Sequence, residues 1–261
     1  MKSQTRTLDE SKHDCGVILY YHIPGTEGTT LNGWLKRLKD ANNAEYISSV
    51  EDTSFIDNVE KQLHDIKGWK IVYAHDNSIS LDSDESLVEK WRDVVTKQKC
   101  RFLATTMFAD IIDHSVSQTY KKFKSCNCDP QSFKDRGYDM DDPPYPWRGQ
   151  LDYFLFNNKD EVVDMDMTDK VKRGVDILGR YFDLVLLNDR DKLIDTILKV
   201  TGWSSPGAIS EKEYGDLVFT KDLVSKYYKL IARNGDGDFI DAVSRLYTNG
   251  LDYLVAHLAV Q

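Results

Sequence analysis

Cysteine, proline, positive charge and long apolar runs are all scarce in this chain, and each scarcity removes a class of protein. Only four of the 261 residues are cysteine (Cys15, Cys100, Cys126 and Cys128). They are too few and too scattered to read as a disulfide framework. Cys126-x-Cys128 lacks the two-residue spacer of a zinc site, and no second Cys/His pair accompanies it. No Asn-x-Ser/Thr acceptor occurs, and both features lean towards a reducing compartment. No apolar run approaches the roughly 18 residues needed to span a bilayer. The opening MKSQTRTLDESKHD is polar, unlike a secretory leader. It reads as a flexible tail (residues 1–14) before one domain over residues 15–261. Lys and Arg number 34 against 43 Asp and Glu, so the net charge of −9 excludes a nucleic-acid binder that works by bulk electrostatics. The phosphate motifs G-x-x-x-x-G-K-[ST] and G-x-G-x-x-G are both missing. No metal-ligand constellation appears.

What is present is an alternation of apolar runs with helical periodicities. Strands are expected at residues 17–21 (VILYY), 45–50, 69–74 (WKIVYA), 102–108 (FLATTMF) and 182–187 (FDLVLL). Helices are expected at 54–66 (Phe55, Val59, Leu63, Ile66), at 86–97 (Leu87, Trp91, Val94 and Val95 on one face), and at 110–124, 168–181 and 191–200, with Gly202 closing the last. Residues 125–149, with four prolines, read as a long loop, 151–156 as a short ordered segment, and 211–232 and 239–259 as a helical C-terminal part. This order predicts an α/β protein in three layers, with a central, mainly parallel sheet flanked by helices.

The stretch with most chemical content is residues 17–38, VILYYHIPGTEGTTLNGWLKRL. It reads as strand, tight loop and helix. Thr29 and Thr30 can cap the helix, whose apolar face is Leu31, Trp34, Leu35 and Leu38. A glycine-containing loop that runs into a helix N-terminus offers unpaired backbone N–H groups and partial positive charge, which suits an anion such as phosphate.

His22-Ile23-Pro24-Gly25-Thr26-Glu27-Gly28-Thr29-Thr30-Leu31 resembles the 5′-phosphosulfate loop of sulfotransferases, especially the carbohydrate-type families, where a strand ends in H-x-P-K-T-G-G-T-T-L. Gly25 stands at the family's lysine and Glu27 at one of its glycines. Further on, Phe108-Ala109-Asp110-Ile111-Ile112-Asp113-His114-Ser115-Val116-Ser117 is similar to the family's 3′-phosphate frame. Asp110 and Ser117 match, Ala109 replaces the arginine, and Ile111 the proline. His114 stands where a second arginine is common, as a surface residue or a substitute for that charge. Residues 172–203, in correct order, resemble the family segment F-D-x-V-x-x-x-E with a following helix ending in G-W, and Arg233-Asn234 with Asp241, Leu246 and Tyr247 resembles its C-terminal pattern.

The resemblance implies a P-loop-like sulfotransferase fold with a helical C-terminal part. It implies transfer of a sulfuryl group from 3′-phosphoadenosine 5′-phosphosulfate, bound as co-substrate, to a hydroxyl of a carbohydrate or small metabolite, with no metal and no nucleic-acid partner. Gly25, Thr26, Glu27, Gly28, Thr29, Thr30, Asp110 and Ser117 are the implied donor-binding residues. His75, at the end of a predicted strand, is the expected base. The plain alternative is that His75 caps a turn with Asp76 and Asn77. Lys36, Arg37, Arg101 and Lys121 are the candidates to supply the charge missing at Gly25 and Ala109. The same frame also fits a protein of this fold that has lost or changed the activity. Cytoplasmic location is expected, with the Golgi lumen open if an N-terminal anchor has been removed. Asn234 to Asp238 reads as a turn, because Phe239 and Arg245 break a calcium-loop pattern. Lys121 to Lys124 and the acidic residues 135–142 read as solvated, and Trp147, Arg148, Gln150 and Tyr153 are candidates to line an acceptor cleft.

Overall fold

The computed structural model describes residues 12–26, 28–50, 54–75, 78–79, 81, 86–109, 114, 150–155 and 166–208. Five strands carry the architecture: β1 (Gly16–His22), β2 (Glu45–Ser48), β3 (Trp69–His75), β4 (Arg101–Phe108) and β5 (Leu184–Leu187). Among the described residues, the helices with defined bounds are α1 (Gly28–Asn42), α2 (Phe55–Leu63), α3 (Leu87–Lys97), α4 (Gln150–Leu155), α5 (Met167–Tyr181) and α6 (Arg190–Thr201). All four strand pairings are parallel, in the order β2-β3-β1-β4-β5. The expected three-layer α/β class is therefore the observed one. The segments expected to be helical at 110–124, 211–232 and 239–259, and the loop at 125–149, lie outside the described residues apart from His114, which is helical.

The strands read as unbroken apolar runs because both faces of the sheet are covered. Every residue of β1 is buried. Its alternate side chains serve two separate cores. Ile18 and Tyr20 join Leu31, Trp34, Leu35 and Leu38 of α1 and Leu193, Ile197 and Val200 of α6. Val17, Leu19 and Tyr21 join apolar residues of α2, α3, α4 and α5. Leu31, Trp34, Leu35 and Leu38 are each 0% exposed, and burial of such side chains stabilises by about 1.5–3 kcal/mol apiece. In α3 the buried stripe is Val88, Trp91 and Val95, while Leu87 and Val94 are only partly covered. The expected face through Trp91 and Val95 is thus the buried one, with Val88 added at the i, i+3, i+7 spacing and Leu87 and Val94 at its margin. Gly202 ends α6 as expected, its N–H donating to Leu198 O.

Two long-range ties brace the sheet. Arg92 of α3 donates from Nη1 to both carboxylate oxygens of the buried Asp183, at 2.9 and 2.8 Å, and from Nη2 to Tyr181 O. Asp183 also accepts from Ala104 N, so one carboxylate links α3, β4 and the entry to β5. The second tie is covalent: Cys15 and Cys100 form a disulfide. The sequence reading expected no disulfide framework; this single bond removes the cysteine pattern as a ground for expecting a reducing compartment. Their 85-residue separation is closed by the parallel register, which sets Gly16 opposite Arg101 and so puts the preceding residues side by side. His13 is also held, its N–H donating to Val200 O and its carbonyl accepting from Trp69 Nε1. Among the described residues no helix is long and apolar enough to cross a membrane.

Candidate functional site

The carboxyl ends of β1, β3 and β4 form one edge, and the next described helices after them lie on opposite faces of the sheet. After β1 the chain enters α1 on one face, whereas α3, which follows β3, and α4, which follows β4, pack on the other. In open α/β sheets such a divergence leaves a crevice where ligands bind. The expected anion loop and the expected base both reach it.

The loop is built as a tight turn. Thr26 N donates to Ile23 O at 3.3 Å, closing residues 23–26. Pro24 occupies the second position and Gly25 the third, with φ of +94°. Proline fixes its own φ negative, so a positive φ at the next residue makes this a type II turn. Glycine is the residue that conformation favours, which gives a physical reason for Gly25 at the family's lysine position. Thr26 is 1% exposed and its hydroxyl also donates to Ile23 O, at 2.8 Å, so it holds the turn from within. Gly28 opens α1, and Thr30 lies in its first turn, partly buried. Glu27, Asp110, Ser117 and the side chain of Thr29 lie outside the described residues.

His22 and His75 end neighbouring strands and stand opposite one another in register. Their rings meet edge to face with centroids 5.0 Å apart. His22 is 5% exposed and lies against the start of α1: a Cβ placed on Gly28 would fall 1.9 Å from its Cε1. Tyr73 continues the stack, 5.6 Å from the His22 ring, and its hydroxyl donates to Gly28 O at 3.3 Å. The more open His75 is held by its backbone. Its N–H donates to Ser49 Oγ at 2.7 Å, and its carbonyl accepts from Ser78 Oγ and from Ser78 N. Asp76 and Asn77, the partners in the turn-cap alternative, lie outside the described residues.

Three residues take places that local pattern did not indicate. His114 is 3% exposed and its Nε2 lies 2.8 Å from Pro24 O, which overturns the surface alternative for this residue. Gln150 is fully buried, and its amide pairs with both backbone groups of Ala109 at 2.7 Å each, so it extends the end of β4 instead of facing an acceptor. Arg101 begins β4, seven rises or about 23 Å from the crevice, and cannot supply charge there. Lys36 lies over the Tyr46 ring, and Arg37 donates to Ala208 O. Both sit about 12–14 Å along α1 from its N-terminus. Lys121 lies outside the described residues. A sequence signal existed for the His22–His75 pair, since each histidine closes an apolar strand. None existed for the Gln150 clasp or the His114 contact, which join positions 41 and 90 residues apart.

No family model matches the chain, and no curated protein matches its sequence. Among solved structures it is similar to mouse sulfotransferase SULT7A1 complexed with PAP, with 13% identity and a TM-score of 0.31 over 82% of this chain. The chain spans 66% of that protein's length. A likeness of this strength carries no argument, and the site described above rests on this chain's own residues.

Proposed function

We propose that this chain is a sulfotransferase that moves a sulfuryl group from 3′-phosphoadenosine 5′-phosphosulfate to a hydroxyl of a carbohydrate or small metabolite. One observation carries the reading: at one edge of the sheet, β1 runs from His22 into a glycine turn before the α1 N-terminus, and His75 stands opposite His22 in register on the next strand. Backbone N–H groups and the helix dipole suit the donor's phosphate, and an imidazole alongside suits the acceptor's proton. The donor supplies an activated sulfur, so that the acceptor oxygen–sulfur bond forms as the bond from sulfur to the bridging phosphate oxygen breaks. His75 takes the hydroxyl proton. His22, packed between His75 and α1, keeps that ring beside the turn. Thr26 and Tyr73 fix the loop and the first residue of the helix.

The donor set fits a polyanion held mainly by backbone. Gly25 offers an N–H and no charge, and its φ resists replacement by lysine. Absence of one charge stabiliser typically costs on the order of a hundred- to thousandfold in rate, so turnover is expected to be slow. That same feature supports a second reading, a protein that binds the nucleotide without transferring sulfate. The carbohydrate-type assignment, and the donor contacts of Glu27, Thr29, Asp110 and Ser117, rest on the sequence resemblance.

The test is calorimetric titration with 3′-phosphoadenosine 5′-phosphate, followed by an assay for its release from the donor across a panel of hydroxyl acceptors. Micromolar binding with acceptor-dependent release, lost in His75→Ala while binding persists, is the expected result. Binding without release selects the second reading. No binding at millimolar ligand rules out both.

A further inference from the structure

We propose that His114 is a positioning residue for the donor site, acting through the orientation of the Pro24–Gly25 peptide. The inference rests on the donor reading above. It starts from a property of tight turns. Types I and II follow nearly the same chain path but differ by a half-turn of their central peptide. Here that peptide is Pro24–Gly25, and it is trans. Its C=O and N–H therefore point to opposite sides. Whatever holds the carbonyl decides the side on which Gly25 N–H is offered.

His114 holds it. Nε2 lies 2.8 Å from Pro24 O, and a carbonyl can only accept, so Nε2 carries the proton. The neutral Nε2–H tautomer and the imidazolium both satisfy the contact. His114 is 3% exposed, so little water competes for the bond. Gly25, with φ of +94°, is in the type II form that Pro24 and Gly25 favour and that turns the carbonyl to His114, whereas the type I form needs φ near −90° at that position. The contact also spans the two segments that bind the donor's phosphates in the proposed reading, the loop after β1 and the region after β4. Loop geometry at one phosphate is thereby set from the segment that serves the other.

Three variants of the full-length protein separate this from simple packing: His114→Ala removes the donor, His114→Gln places an amide N–H near the Nε2 position, and His114→Asn is too short to reach. With 3′-phosphoadenosine 5′-phosphate as the probe, His114→Ala and His114→Asn are expected to weaken binding on the order of tenfold, and His114→Gln to stay within about threefold of wild type. In the ligand-free protein, the Gly25 amide–α-proton couplings should report a changed φ in His114→Asn and the wild-type φ in His114→Gln. Should His114→Ala fail to fold, the Gln and Asn variants carry the comparison. Equal binding by the wild type and His114→Asn, or an unchanged Gly25 φ, overturns this inference and leaves the donor reading standing. A wild-type protein that does not bind the nucleotide overturns both.

Discussion

Two glycines of α1 give the sharpest test of how the site is packed. Neither Gly28 nor Gly33 has positive φ, so alanine suits the backbone at both. Their surroundings differ. A Cβ at Gly33 meets nothing within 4 Å, whereas one at Gly28 falls 1.9, 2.1 and 2.3 Å from three ring atoms of His22. The His22 ring cannot swing aside freely, because Tyr73 and His75 lie against it at centroid distances of 5.6 and 5.0 Å. Gly33→Ala should therefore show the helix preference alone, a gain of about 0.5–1 kcal/mol. Gly28→Ala gains less than that at the helix start, and forcing a methyl into a filled site costs about 1–3 kcal/mol. The net expectation is a loss of about 1–2 kcal/mol, at about 2–4 °C in Tm for each kcal/mol in a chain of this size. Urea and thermal melts of both variants measure it. Because the clash needs the ring, adding His22→Ala should recover part of the Gly28→Ala loss in a double-mutant cycle. If Gly28→Ala stabilises as Gly33→Ala does, the packing of His22 on the helix start is wrong.

Four further outcomes follow from the same geometry. Asp183→Ala strands the part-buried Arg92 and should lower stability by about 3–5 kcal/mol in urea melts, without changing the order of the sheet. Reducing the Cys15–Cys100 bond should cost about 2–4 kcal/mol, read as a shift in the urea midpoint with and without dithiothreitol, and the Cys15→Ser/Cys100→Ser variant should show no such shift. Gly25→Lys, which introduces the lysine of the sulfotransferase pattern that the loop resembles, should destabilise by about 1–2 kcal/mol because φ is +94° there. Asp166 caps α5 by accepting from Asp169 N, and that bond lowers its pKa. A lowered folded-state pKa means the contribution is present above the unfolded value and fades as pH falls through the folded one. Asp166→Asn should accordingly flatten the acid limb of the stability curve below about pH 4.

The elements were legible in the sequence wherever burial was one- or two-sided and local. Residues 17–21, 69–74 and 102–108 are apolar throughout because helices cover both sheet faces, and α1 displays its core stripe at helical spacing. Length and edge effects blurred the rest. The strand expected at 182–187 begins at Leu184, because Phe182 and Asp183 serve the helix end and the Arg92 pair instead. In α3 the apolar residues Leu87, Val88, Val94 and Val95 allow two adjacent stripes, and only packing selects the one through Val88. Of the site, the turn, the helix start and the strand-terminal histidines could be read from residue type and order. The disulfide, the Gln150 clasp and the His114 contact could not, since each depends on which strands become neighbours. Arg101 shows the converse. It stood in the sequence just before a strand that leads to the site, yet strand direction puts it at the opposite edge.

The most direct test of the central claim is to map the nucleotide onto the loop. Amide spectra of the 15N-labelled protein, titrated with 3′-phosphoadenosine 5′-phosphate, should show saturable shifts at Gly25, Gly28 and Thr30, with the ring signals of His75 moving in step. Saturable shifts centred on the opposite edge, around Cys15 and Arg101, or no shifts at all, would contradict the account.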